Sequence, residues 1–234
     1  TGRTAGMNGT LALVGGREFT EGCTFDATLL EGVPEVLLLP SALAYENPTA
    51  AIERAIEWFA PMGVTVRTLE VYRRAEAMDP GVAEAARSAR AVYLTGGSPM
   101  HLRSVLKDTP LLDGLISAWR GGANIAAAGE AASVLCSHMV DSRGGAFTVG
   151  LDLITTMTVV PRHNQWSPEK FHRTVELAHA GLPVVGIDEA TALLRSPGGE
   201  WRVEGAGHVH VFVDGAHADL GALSGQLNPL LTAD

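Results

Sequence analysis

The stretch that most limits what this chain can fold into is Ile125 to Leu135, Ile-Ala-Ala-Ala-Gly-Glu-Ala-Ala-Ser-Val-Leu. It reads as a strand end, a very tight turn and the first turns of a helix. Small residues crowd both sides of the turn, as close packing of strand and helix requires. This is the layout of a nucleophile elbow, in which one residue is held in a strained backbone at a helix N-terminus. A working elbow carries Ser or Cys at its apex. Here the apex is Gly129, which offers neither oxygen nor sulfur.

An elbow needs a sheet to stand on, and the rest of the chain supplies the pattern for one. Short apolar runs at Thr10–Val14, Val36–Leu39, Val64–Leu69 and Ala91–Thr95 read as strands. Continuous apolar strands of this kind are covered on both faces. Between them lie helices. Asn47-Pro48 opens one, with Ile52, Ala55, Ile56 and Phe59 as its apolar face and Gly63 as its stop. Others are expected over Asp26–Leu30, Gly81–Ser88, Pro99–Leu106, Leu111–Trp119 and from the Ser167-Pro168-Glu169 cap to about Ala178. Residues 137–150 read as an irregular excursion. Met157–Val160, Pro183–Ile187, Thr191–Arg195 and His208–Val213 are further strands, with Pro197-Gly198-Gly199 as a hairpin turn. Alternation of strand and helix predicts an α/β fold: a mostly parallel sheet with helices on both faces and an antiparallel addition near the C-terminus. Ligands bind such sheets beyond the C-terminal strand ends. The glycine-rich corners at 15–16, 96–97 and 127–131 all fall there, so one pocket is expected to join them.

The 234 residues suit one domain over residues 7–234. Thr1 to Gly6, ahead of Met7, are set apart as a remnant or a disordered N-terminus. A net charge of −9 argues against nucleic acid, which calls for clustered Lys and Arg. No apolar run is long enough to span a bilayer, and no signal peptide is visible. Cys23 and Cys136 form neither a disulfide framework nor a zinc spacing, so a cytoplasmic setting is expected.

At four places the chain resembles the dipeptidase E and cyanophycinase family of serine peptidases. They are Leu94-Thr95-Gly96-Gly97-Ser98-Pro99-Met100-His101-Leu102, the elbow, the segment from Gly150-Leu151 to His163, and Gly186-Ile187-Asp188-Glu189-Ala190-Thr191-Ala192-Leu193. The last is the most specific. The resemblance implies a class I glutamine amidotransferase-like, flavodoxin-like fold, a three-layer α/β/α sandwich. The family's elbow reads Gly-x-Ser-Ala-Gly-Ala. The gap-free register puts Ala127 on the first Gly, Gly129 on the Ser, Glu130 on the Ala and Ala131 on the second Gly. A two-residue shift puts Ala127 on the Ser, so neither register restores a nucleophile. His163 matches the family's catalytic His, while Pro161 and Asn164 replace the residues around it.

The expected function follows from the missing apex atom. The leading expectation is a peptidase homologue that binds a peptide-like or amino-acid-like ligand, or a partner, without hydrolysis. The ligand-binding candidates are Gly96, Gly97, Ser98, Gly129, Arg162 and Glu189. Gly97 and Glu130 can still offer backbone amides as an oxyanion hole. Ser98 also reads as a helix cap, Arg162 as a solvated surface group and Glu189 as a structural hydrogen-bonding group. A rival expectation is altered chemistry with Glu130 and His163 as an acid–base pair. A second alternative is a displaced nucleophile, for which Ser98, Ser133 and Cys136 are the candidates. His208 and His210 share a strand face with His217 just beyond, but no carboxylate or Cys stands at a ligand spacing. No metal and no cofactor is therefore expected. A homodimer is compatible with the sequence.

Overall fold

The computed structural model describes residues 8–228 and residue 231. The expectation for Thr1 to Gly6 lies outside the described residues. In chain order the elements begin with β1 (Leu11–Val14), α1 (Phe25–Leu29), β2 (Glu35–Leu39), α2 (Pro48–Phe59) and β3 (Thr65–Thr68). They continue with α3 (Arg74–Ala77), α4 (Pro80–Arg87), β4 (Ala91–Leu94), α5 (Pro99–Leu106), α6 (Pro110–Arg120), β5 (Asn124–Ala128) and α7 (Glu130–Val134). The later part holds β6 (His138–Val140), β7 (Phe147–Val149), β8 (Thr158–Pro161), α8 (Pro168–Leu177), β9 (Val184–Ile187) and β10 (Thr191–Arg195). It ends with β11 (Trp201–Gly205), β12 (Val209–Val213) and β13 (Ala216–Ala218).

Seven strands form the central sheet, in the order β11-β10-β1-β5-β4-β2-β3. The five from β1 to β3 run parallel, and β10 and β11 add antiparallel at one edge, as the sequence predicts. Strand alternation divides the core. Leu11, Leu13, Leu37, Leu39, Ile125 and Ala127 face one layer with α5 and α6. Ala12, Val14, Val36, Leu38, Ala126 and Ala128 face the other, against α1 and α2. Each fully buried Leu stabilises the fold by about 1.5–3 kcal/mol through loss of water contact. The result is the expected three-layer α/β/α arrangement. No helix among the described residues is long and apolar enough to cross a membrane.

Five helices start with a polar cap followed by Pro: Asn47, Asp79, Ser98, Thr109 and Ser167 each accept a backbone N–H of the first turn. Pro fits there because its missing N–H would have no intrahelical partner. Two of these caps move the helix starts back to Pro80 and Pro110 from the expected Gly81 and Leu111. Ile56, assigned to the apolar face of α2, is 48% exposed, and Ala51 is buried in that helix instead. The excursion at 137–150 is not irregular throughout. It carries the hairpin β6–β7, whose polar and glycine residues hide a weak alternation.

The larger departure concerns the late strands. β8, β9, β12 and β13 make a separate four-stranded sheet, in the order β13-β12-β9-β8. Apolar runs report burial, not which sheet a strand joins. Here β8 and β9 are parallel with Pro161 opposite Ile187, so the residues after both strands emerge together. Antiparallel β12 brings His210 opposite Gly186 at the same end.

Candidate functional site

The elbow forms as its sequence requires. Gly129 caps α7 with φ 55° and ψ −130°, a region that side chains rarely adopt. Its N–H donates to the Val14 carbonyl at 2.8 Å, tying the apex to the end of β1. An added Cβ would meet only the Gly96 Cα, at 3.4 Å. The corner thus keeps room for a side chain that is not there.

Around this apex lies a polar cleft of about 210 Å³. Gly16, Gly96, Gly97 and Gly129 line it, so the three glycine corners do share one pocket. Its charged groups are Arg17, Arg54 and Arg162 against Glu18, Glu46 and Glu130. Among the described residues that line it, none is Ser, Thr or Cys. Glu18 accepts the Gly96 N–H at 3.0 Å and so fixes the second corner. Arg162 takes a left-handed backbone, φ 49° and ψ 43°, with its N–H on the Gly15 carbonyl at 2.7 Å. Its side chain crosses Gly16, where a Cβ would stand 2.8 Å from the Arg162 Cγ, and its guanidinium pairs with the buried Glu130 carboxylate. Arg162 is thus tied to the elbow by an ion pair while nearly half of its side chain stays exposed to solvent. As the first residue of α7, Glu130 also has an amide with no intrahelical acceptor.

His163 is turned elsewhere. Its Nδ1 lies 3.2 Å from Asp188 Oδ1, and its ring stacks on His210 with centroids 4.2 Å apart. Gly186 makes this possible, because a Cβ there would fall 2.5 Å from the His163 ring. Burial, with His210 beside it, holds the imidazole below its ordinary pKa, and Asp188 offsets this only in part. His163 and His210 line a second cleft of about 380 Å³, together with Trp166, Phe171 and Phe212. Glu130 lines the first cleft and His163 the second, and their partners differ: Arg162 for Glu130 and Asp188 for His163. The left-handed turn at Arg162 directs neighbouring side chains apart: Arg162 to the elbow and His163 to Asp188.

The remaining candidates make hydrogen bonds within the fold or lie in its core. Ser98 caps α5 through the His101 N–H. Glu189 accepts from Asn164 and Gln165, and its own N–H donates to Asn164. The Ser133 hydroxyl accepts the Val140 N–H within the core. Cys136 is fully buried, which pushes its thiol up to about 12 and leaves no thiolate to attack with. Sequence reasoning missed the carboxylate that accompanies the histidines: Asp188 Oδ1 is 3.5 Å from His210 Nε2. The signal was Asp188 directly after a strand that pairs with the histidine strand. His217 is not in this group and packs on Phe212 instead.

Residues 17–200 match the sequence profile of peptidase family S51. Cyanophycinases from Trichormus variabilis and Nostoc sp. are each 28% identical over 188 residues, 75% of this chain and 62% of theirs. The chain therefore spans under two thirds of the length of these curated relatives. A peptidase from an acI-B1 actinobacterium superposes with a TM-score of 0.80 at 27% identity, covering 92% of this chain and 94% of that one. A proposed peptidase E protein from Listeria monocytogenes EGD-e superposes with a TM-score of 0.62 at 16% identity, covering 88% and 98%, and speaks for the fold alone.

Proposed function

We propose, from the premise that this chain belongs to peptidase family S51, that it is a member without the serine nucleophile, binding a peptide-like or amino-acid-like ligand at its elbow without acylation. The observation that carries this reading is the bare apex at Gly129 in a cleft whose described lining residues offer no hydroxyl or thiol. Acyl transfer needs a nucleophile within reach of its base. His163, the residue matching the family's base, hydrogen-bonds Asp188 beside the other cleft. The wall charges support the ligand class. Three Arg and three Glu side chains offer both signs at short range, which suits a molecule carrying a carboxylate and an ammonium or guanidinium together. An isolated phosphate would meet three carboxylates.

Aspartyl dipeptides and β-aspartyl-arginine are suitable probes, given the cyanophycinase relatives. They are expected to bind the native chain without being cleaved, and a fluorophosphonate is expected to leave it unlabelled. Arg162→Ala is expected to weaken binding by about ten- to a hundredfold, since charged hydrogen bonds contribute roughly 1.5–3 kcal/mol. Calorimetry and a ninhydrin assay separate the two readouts. Cleavage of either probe by the native chain overturns the loss of hydrolysis, and absence of binding overturns the ligand class. Gly129→Ser fits the space at the apex. It is expected to remain unlabelled because His163, the residue matching the family's base, lines the other cleft and the carboxylate nearest the apex, Glu130, is held by Arg162. Labelling of this variant would mean that His163, or a carboxylate of the cleft, serves the elbow as a base after all.

A further inference from the structure

We infer that His163, Asp188 and His210 form a binding site for a divalent transition-metal ion, with zinc the best fit. One nitrogen of each imidazole and one carboxylate oxygen lie mutually within 4.8 Å. In a tetrahedral zinc site with bonds of about 2.0–2.1 Å, neighbouring ligand atoms stand about 3.3 Å apart. Asp188 Oδ1 is 3.2 Å from His163 Nδ1 and 3.5 Å from His210 Nε2. Two edges of that tetrahedron therefore exist already. Two imidazoles and a carboxylate are a donor set suited to zinc and its neighbours rather than to magnesium or calcium.

The ligands are held from outside. The His208 N–H donates to Asp188 Oδ2 at 3.0 Å, which fixes the carboxylate and leaves Oδ1 for the histidines. Such outer contacts orient metal ligands and tune affinity. Gly186 seats the His163 ring over β9, and Phe171 meets that ring edge-on at 4.5 Å. The three side chains come from three segments that the small sheet gathers at one end: after β8, after β9 and within β12. His163 and His210 also open onto the 380 Å³ cleft, so the fourth position faces a space that can hold water or a ligand atom. Three protein ligands with an open fourth position is the plan of reactive rather than purely structural zinc sites. His208, with Nδ1 3.8 Å from Asp188 Oδ2, stands outside the three. The inference is independent of the elbow cleft, which lies on the other side of Arg162.

The test uses the full chain without a histidine tag, stripped of metal by a chelator. Cobalt(II) is expected to bind one ion per chain with the intense visible bands of low coordination number, and zinc is expected to displace them. Zinc is also expected to raise the melting temperature in a concentration-dependent way. Asp188→Asn and His210→Ala should each weaken zinc binding on the order of a hundredfold or more. His172→Ala, at the exposed rim of the same cleft, should leave it unchanged. Near-ultraviolet circular dichroism verifies that the variants are folded, and His210→Gln stands in if His210→Ala is not. Octahedral cobalt spectra, no saturable binding, or binding untouched by both ligand substitutions would each overturn the site and leave a plain hydrogen-bonded His–Asp–His cluster.

Discussion

Asp26→Asn is expected to gain about 4 kcal/mol of stability relative to the native chain as the pH is raised from 4 to 8. Asp26 is fully buried in α1. Trp58 Nε1 donates to its Oδ2 at 2.9 Å, while Oδ1 has no partner in bonding geometry. Burial pushes the carboxyl up to about 7, and the polar groups of Trp58 and Tyr93 only partly offset it. Its ordinary value is 3.8. The folded state therefore holds a proton that the unfolded state gives up. The stabilisation is fully present below the unfolded value and is lost as the pH climbs through the folded one. A shift of this size corresponds to about 4 kcal/mol. Asn keeps an oxygen for Trp58 and carries no charge, so it escapes the loss. At pH 8 the variant should melt roughly 10 °C higher, by the usual scaling for a chain of this size. The quantity to measure is the difference between the two proteins across pH, because other carboxylates then cancel. A difference flat to within about 1 kcal/mol would mean that Asp26 is ionised in the folded chain.

Much of the fold could be read in advance because each signal was local. Apolar runs closed by Gly or Pro gave the strands of the central sheet, and cap-Pro pairs gave the helix starts. The elbow was legible for the same reason, since an alanine-lined turn with Gly129 at its apex is contiguous in the chain. The second sheet was not. Val184–Ile187 and Thr191–Arg195 are both buried apolar runs, yet they enter different sheets. Which neighbour such a strand selects depends on packing between distant segments. The site shows the same division. The sharing of one cleft by Gly16, Gly97 and Gly129 follows from strand polarity alone. The ion pair of Arg162 with Glu130 and the approach of Asp188 to His210 join residues far apart in sequence. The left-handed backbone at Arg162, which no glycine or asparagine marks, decides the first, and the pairing of β9 with β12 decides the second.

Gly15→Ala is expected to be the most damaging single-methyl change at the site. A Cβ at Gly15 would stand 1.9 Å from the Asp188 carbonyl oxygen and 2.5 Å from that of Ile187. Both are backbone atoms and cannot swing aside, so the end of β1 or the turn after β9 must move. Gly15 also donates its N–H to Thr191 at 2.9 Å and accepts from Arg162 at 2.7 Å. One displacement therefore reaches the central sheet, the arginine over the elbow and the loop that carries Asp188. Losses above about 4 kcal/mol arise from collisions of this kind, and roughly 10 °C or more of melting temperature should go with them. Gly129→Ala is the contrasting case. Its new methyl meets one Cα at 3.4 Å, so the cost is the backbone strain alone, about 1–3 kcal/mol. Thermal melts of the two variants side by side test the difference. If Gly15→Ala melted as high as Gly129→Ala, the tight joint between the two clefts would not exist. If the order holds, the apex is a place built to carry a side chain, and the neighbouring corner is one where the main chain itself must pass.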